Sequence, residues 1–342
     1  MKRKYIWVYF LTLLAIIAVF LYQGSRTKTD FFQNGGFTRN YKNISYTLSD
    51  VKRPFWSFIK FGGEDHKGYY VFEKGTNRFQ RISKQADSLE LVAVDNARIL
   101  QNQHEQYYIS NDTLYNFDSK ALMCRRYRLS EAGKPIDSLS FVSAAITPSV
   151  IKDGDILYKS LIPKKSNFSV NVAGRDGHAF SNRALFSNGI TMADDGIIQP
   201  YKDGFIYVCM YRNEVRALDA HLKPTKVYHT IDTVKKSPEV IDLKDGRTTY
   251  KTQPTFANRA VFVKEDQLYI YSGIFADNDK GVSSFDTLVI DTYDLKKGFN
   301  YSHSMRFSMP KGTSSIPGSF ILSDKGMIVL LLDGHILKYN FT

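Results

Sequence analysis

Two cysteines in 342 residues, Cys124 and Cys209, are too few for a disulfide framework and have no zinc-ligand spacing. Each lies in an apolar run (LMC, YVCM) and reads as a buried, inert thiol, with a single disulfide between the two as the alternative. The seven histidines form no HExxH or other close ligand pair. No Gly-x-Ser-x-Gly elbow, P-loop or dinucleotide fingerprint occurs. Gly312–Gly318 lacks the lysine that a phosphate cradle uses. The acidic clusters Glu64-Asp65, Asp194-Asp195 and Asp277-Asn278-Asp279 are not closed by the glutamate of a twelve-residue calcium loop. They read as polar loop tips, so neither metal nor cofactor is expected. Long runs of one charge are also missing. The formal charge is +12, but only short basic clusters and doublets such as Lys164-Lys165 and Lys235-Lys236 occur. That pattern describes a solvated surface and not a nucleic-acid face.

Aromatic residues, in contrast, are abundant at 14%, with 22 Tyr and 24 Phe. They suit half-buried pleated surfaces and supply a large core. At the amino terminus, Ile6–Tyr22 is an uncharged run of 17 residues with Thr12 as its polar member. It is apolar all round, follows a Lys/Arg cluster and lacks an Ala-x-Ala cleavage pattern. The reading is one uncleaved transmembrane signal anchor over 1–25, with cleavage as the alternative. A polar tether follows over 26–43, and an exported body over 44–342. The predicted location is the cytoplasmic membrane, single-pass, with the body in the periplasm or an equivalent extracytoplasmic space. Export also argues against a nucleic-acid partner.

The best-defined stretch of the body is Gly204–Ile231, three short strands separated by turns at Arg212-Asn213 and Asp219–Pro224. Similar central strands begin at Gly68, Glu105, Asp155, Gly204, Gln267 and Gly326, spaced 37 to 63 residues apart. Asp-Ser-Leu or Asp-Thr-Leu recurs at Asp87, Asp112, Asp137 and Asp286 as a turn leading into a strand. Such spacing fits repeated four-stranded units and predicts an all-β, six-bladed β-propeller of four-stranded antiparallel blades. The last unit offers three strands, Ser319–Leu322, Met327–Leu332 and His335–Phe341, and Asn43–Ser49 is free to supply the fourth. A sandwich or two smaller β-domains is the alternative. No Pro/Gly/Ser-rich linker divides the body, which counts against two domains.

The unit GFIYV…NEVRALD…LKPTKVY resembles blades of the NHL/TolB-like six-bladed propellers. Tyr293–Phe299 (YDLKKGF) followed by Ser304–Pro310 (SMRFSMP) resembles their blade phrase, in which an aspartate-bearing turn precedes the outer strand. The whole chain is similar to exported propellers common in Bacteroidetes-type bacteria, many of them lipoproteins. It departs from those in lacking the anchor cysteine. The resemblance implies architecture and export, not an activity.

In a propeller, the loops joining blades and those joining second to third strands share one face, where rigid scaffolds place recognition groups. Arg53, Arg98, Arg212, Asn213, Gln253, Asn258 and Arg259 fall there. Converging arginines would suit an anionic ligand or an acidic partner patch; the alternative is ordinary surface charge. The insert Thr233–Thr252 is long enough to be a lid or a binding arm. The predicted function is a monomeric, membrane-tethered binding module for a protein, peptide or glycan. The alternative is a hydrolase or lyase with its site at the central opening.

Overall fold

Short apolar runs between tight turns commit this chain to antiparallel pairing, because each run buries one or both faces only when strands lie side by side. The computed structural model describes residues 35–52, 59–73, 79–84, 89–92, 105–118, 120–131, 134–141, 145–150, 154–161, 167–174, 179–182, 185–186, 190–244, 248–279, 286–310 and 316–342. The predicted transmembrane run Ile6–Tyr22 lies outside them. Among the described residues no helix is long and apolar enough to cross a membrane.

Strand β1 (Tyr46–Lys52) comes first. It is followed by β2 (Ile59–Glu64), β3 (Gly68–Glu73), β4 (Phe79–Ser83) and β5 (Leu89–Val92). Next are β6 (Glu105–Ser110), β7 (Thr113–Asp118), β8 (Met123–Arg128) and β9 (Lys134–Ser140). Then come β10 (Ala145–Val150), β11 (Ile156–Leu161), β12 (Asn167–Ala173), β13 (Ala179–Asn182) and the short β14 (Ile190–Thr191). The second half holds β15 (Gly196–Tyr201), β16 (Gly204–Cys209), β17 (Glu214–Leu218) and β18 (Pro224–His229). A small hairpin, β19 (Val240–Asp242) with β20 (Thr248–Tyr250), precedes β21 (Asn258–Lys264), β22 (Gln267–Ser272), β23 (Thr287–Asp294) and β24 (Asn300–Ser308). The chain ends with β25 (Pro317–Leu322), β26 (Gly326–Leu331) and β27 (Ile336–Phe341).

Successive strands pair antiparallel in groups: β2–β5, β6–β9, β10–β13, β15–β18 and β21–β24. The first two groups touch through one parallel pair, Gly63 with Ile109. The last group, β25–β27, takes β1 as its fourth strand. The register runs from Tyr46 opposite Phe341 to Lys52 opposite Ile336, with an irregularity between Leu48 and Asp50. The closing strand is therefore present but starts at Tyr46, three residues later than the sequence predicts. The Tyr46 ring sets this register: it packs 5.1 Å from Phe307 and 5.5 Å from Tyr339.

The core lies between sheets, each apolar cluster joining one group to the next. Tyr70, Phe72 and Phe79 meet Tyr107 and Leu114. Tyr108, Tyr115 and Phe117 meet Ile156 and Tyr158. Leu157, Val170 and Val172 meet Phe205 and Tyr207. Ile206, Val208 and Val215 meet Val261, Leu268 and Ile270. Leu288, Ile290 and Phe307 meet Phe320, Met327 and Val329. Finally Ile321, Ile328 and Leu330 return to Tyr69, Val71 and Ile82 of the first group. Second strands are the most buried, as in β16 and β26, while fourth strands such as β9 and β18 are largely exposed.

Five of the six predicted central strands are second strands, β3, β11, β16, β22 and β26, with β11 starting one residue after the predicted Asp155. The exception is Glu105, which begins β6, the first strand of its group. That displacement accounts for the shortest interval in the repeat.

Turns after first and third strands lie at one end of the sheets, and turns after second strands share the other end with the links between groups. Residues 35–40 dock at this second end, here termed the entry end; the opposite end is termed the far end. Of the predicted tether, residues 35–43 are held against β21–β24. Tyr41 bridges Ser304 on the outermost strand. The Asp277 carboxylate accepts from the Gly36 N–H at 3.0 and 3.1 Å. The Arg39 side chain is fully buried. It donates to both carboxylate oxygens of Asp291 (2.8 and 3.1 Å), to Asp279 (2.5 Å), to Ser272 Oγ (2.8 Å) and to the Ile274 carbonyl (2.9 Å).

Candidate functional site

Arg53 and Arg98 lie outside the described residues. Three of the other predicted residues do meet at the entry end, where the β16–β17 turn abuts the start of β21. Arg212 is buried and donates to Asp194 Oδ1 (2.6 Å), Glu214 Oε2 (3.0 Å) and Ser237 Oγ. Its guanidinium lies 4.7 Å from the centre of the Phe186 ring. Burial works against its charge, yet Asp194 and Glu214 hold its pKa above the ordinary value. Asn213 Nδ2 donates to the Asp232 carbonyl at 2.8 Å. Asn258 Nδ2 donates to the carbonyls of Cys209 (2.7 Å) and Arg212 (3.1 Å). These amides satisfy buried backbone oxygens, which are costly to leave alone. Arg259 lies 5.7 Å from the centre of the Tyr271 ring, and Gln253 is exposed in the link before β21. Arg212, Asn213 and Asn258 thus lie together: Asn258 fastens β21 to the β16–β17 turn, and Arg212 and Asn213 fasten that turn to the links flanking its own sheet.

The acidic clusters have comparable partners. Asp194 and Asp195 accept from Arg212 and Lys159 (2.6 Å each), and Asp279 accepts from Arg39, Arg306 and Tyr41. Asp65 accepts from the Lys67 and Gly68 N–H groups and from the Tyr70 hydroxyl. Among the described residues no group of three or more His, Cys, Asp or Glu side chains is arranged to hold a metal. Cys124 and Cys209 are buried free thiols, each pushed up to about 12 by burial.

An open cleft of about 460 Å³ lies at the far end, between the turns of β15–β18 and of β21–β24. Its walls include Tyr201, Lys202, His221, Tyr228 and Leu295. One wall is the Asp219–Lys223 turn, in which Asp219 Oδ1 accepts from the N–H groups of His221 (2.9 Å) and Lys223 (2.8 Å). Leu222 takes a left-handed conformation there (φ 63°), which sends its side chain wholly inside. Gly204 forms the floor, since a Cβ would sit 2.1 Å from the Leu218 carbonyl oxygen. Tyr228 contributes the one ring of the opposite side, and that ring is backed by two others behind the lining. Tyr228 stacks on Phe299 at 5.0 Å, and Phe299 stacks on the buried Tyr293 at 4.7 Å. Phe299 has a φ of 66°, so the turn bends to bring its ring into the stack. The half-buried Tyr228 is the outer member of this supported column.

At the rim, Asp266 accepts from the Tyr201 hydroxyl (2.7 Å) and pairs with Lys202 (3.1 Å). Those two donors lower the Asp266 pKa. Tyr201 and Asp266 raise that of Lys202. Burial raises that of Tyr201. All three therefore keep one protonation state at neutral pH: phenol, carboxylate and ammonium. A ring face, fixed donors and a held ion pair are thus offered to any molecule that enters the cleft. Sequence reasoning missed this cleft because it forms between turns about 60 residues apart, as the Tyr201–Asp266 bond illustrates. The available signal was an aromatic residue at the edge of the first turn, Tyr201, and a second on the outer strand, Tyr228.

No family model and no curated sequence matches the chain. Solved structures of similar shape include virginiamycin B lyase from Staphylococcus aureus, at 10% identity and a TM-score of 0.48, covering 87% of this chain and 100% of that one. The WD40 domain of Pan2 from Neurospora crassa shows 10% identity and a TM-score of 0.48 over 89% and 97%. BamB from Moraxella catarrhalis shows 9% and 0.43 over 87% and 100%. All three are β-propellers. In this chain the sheets follow one another as antiparallel groups, each packed on the next, with the last group completed by β1 and packed against the first. The fold is a β-propeller. Its four-stranded groups are the blades, and the far-end cleft is an opening between two neighbouring blades.

Proposed function

We propose that the chain is a six-bladed propeller, anchored in a membrane by residues 6–22, acting outside the cytoplasm as a monomeric binding module. The blade number rests on the groups β2–β5, β6–β9, β10–β13, β15–β18, β21–β24 and β25–β27 with β1, and on the core clusters that join each to its neighbours. The anchor rests on the apolar run after Lys2-Arg3-Lys4.

The binding reading is carried by one observation: the far-end cleft presents the face of Tyr228, held from behind by Phe299 and Tyr293, beside a rim in which Tyr201 and Lys202 are fixed on Asp266. A stacked tyrosine face beside hydrogen-bonding groups suits a sugar ring or an extended peptide carrying an aromatic or apolar side chain. Entry-end residues such as Asn258 contribute by fastening neighbouring blades to one another. The test is an array of short peptides and oligosaccharides probed with detergent-solubilised full chain, then repeated with Tyr228→Ala and His221→Ala. Capture of one ligand class, weakened about tenfold or more by Tyr228→Ala, is expected from loss of a stacking platform. Capture indifferent to both substitutions would remove the cleft from the account. Turnover of a captured ligand would favour the hydrolase or lyase reading.

A further inference from the structure

The link between β18 and β21 leaves the entry end as a braced arm. Its base is pinned by the Arg212–Ser237 bond and by Tyr250, whose hydroxyl donates to the Met192 carbonyl and bonds the Tyr211 hydroxyl, both at 2.9 Å. Lys251 pairs with Glu239 at 3.0 Å, and Thr248 donates to Asp242 at 2.7 Å across the β19–β20 hairpin. The described residues of the arm are thus fastened, yet they expose Ile241 (38%) and Leu243 (37%) to solvent. Lys235, Lys236 and Lys244 of the same arm are also exposed. The exposed carboxylates of Glu239 and Asp242 are taken up by Lys251 and Thr248, which leaves Lys235, Lys236 and Lys244 as the ammonium groups beside two outward aliphatic side chains, the composition of an interfacial lipid contact.

Its position says which surface it meets. Thr233, at the root of the arm, donates to the Gly35 carbonyl at 3.0 Å. Gly36 and Arg39 are bound to Asp277, Asp279 and Asp291 of the adjoining blade. Only residues 23–34 separate this fixed point from the apolar run ending at Tyr22. Twelve residues span at most about 40 Å even when fully extended. On the proposed anchor, the root of the arm therefore stays within about 40 Å of the end of the apolar run, close enough for the arm to reach the bilayer.

We infer that the β19–β20 arm seats on the anionic phospholipid surface of the membrane that anchors the chain. Ile241 and Leu243 enter the headgroup boundary while Lys235, Lys236 and Lys244 meet phosphate groups. This contact turns the entry end towards the membrane and the far-end cleft away from it. The inference rests on the anchor reading.

The test uses the full chain reconstituted in phosphatidylcholine vesicles with and without phosphatidylglycerol. Leu243→Cys carries an environment-sensitive fluorophore, and His221→Cys at the far end is the control; both native cysteines are buried. In anionic vesicles the label at 243 is expected to be quenched by headgroup-level nitroxide lipid at least about twofold more than the label at 221, an interfacial insertion. Salt, or the combined Lys235→Glu, Lys236→Glu and Lys244→Glu change, should abolish the difference. Equal quenching at both positions, in protein that survives an alkaline wash and floats with vesicles, overturns the arm contact alone. Loss of the protein on washing overturns the anchor and the arm contact together. Shielding at 243 that rises with protein density and ignores lipid charge assigns the arm to a second copy, which also overturns it.

Discussion

Arg39 is the residue on which the amino-terminal segment depends. Every nitrogen of its guanidinium is matched, against two carboxylates that are themselves nearly inaccessible. Removing one partner of such a buried pair leaves the other charge stranded in a poorly solvated site. Arg39→Ala is expected to lower unfolding free energy by about 3–5 kcal/mol, measured by denaturant titration. A change below about 1 kcal/mol, the scale of exposed pairs, would mean that the network is not a structural fastening. Asp279 gives the pH counterpart. Burial opposes its charge, but the Tyr41 hydroxyl, the Ala276 N–H and Arg39 outweigh it, so its pKa falls below 3.8. Its stabilising contribution is complete above that value and lost as pH falls through the depressed one. Asp232, raised by burial, acts oppositely: its contribution is lost as pH rises through its folded value. In acid titrations of stability, Asp279→Asn is therefore expected to narrow its deficit against the parent below about pH 4. A deficit unchanged by acid would contradict that assignment. None of this was legible beforehand. A polar, Asn- and Gly-containing segment reads as a tether, and nothing local in it announces that one arginine fits two aspartates about 240 and 250 residues away.

At the scale of elements, strands were the most legible and the turns the least. Gly204–Ile231 was readable because its apolar runs are bounded by turn residues, and β16, β17 and β18 form as expected. The start of the closing strand was displaced because register follows the Tyr46 ring and not local propensity. Left-handed Leu222 and Phe299 were invisible, since neither residue type favours that conformation and only burial selects it. Glycine at 204 was readable as a turn residue, but its necessity comes from packing. Gly204→Ala should lower stability by roughly 2–3 kcal/mol and distort the floor of the cleft, because backbone and not a movable side chain opposes the new methyl. Thermal unfolding checks this, and a variant melting like the parent would show that the β16 entry yields freely. Convergence of Arg212, Asn213 and Asn258 was legible from the loop pattern; that their bonds would turn inward required the partners Asp194, Asp232 and Cys209.

For the whole molecule, the consequence of the fold is that stability is shared around a circuit. Each blade has few contacts except with its two neighbours, and the ends of the chain meet in one sheet, where Tyr46 pairs with Phe341 and Thr342 N–H donates to the Ser45 carbonyl at 3.0 Å. An open end would expose the edge of β27 and unseat the rings around Phe307 and Tyr339. The most direct measurement is thermal unfolding of the full chain beside a form lacking Asn43–Ser49. The account predicts one cooperative transition in the parent and a fall of about 10 °C or more in the shortened form, the loss of several kcal/mol. Coincident melting of the two forms, or a shortened form in which only a minor separate transition disappears, would contradict closure of the propeller by β1.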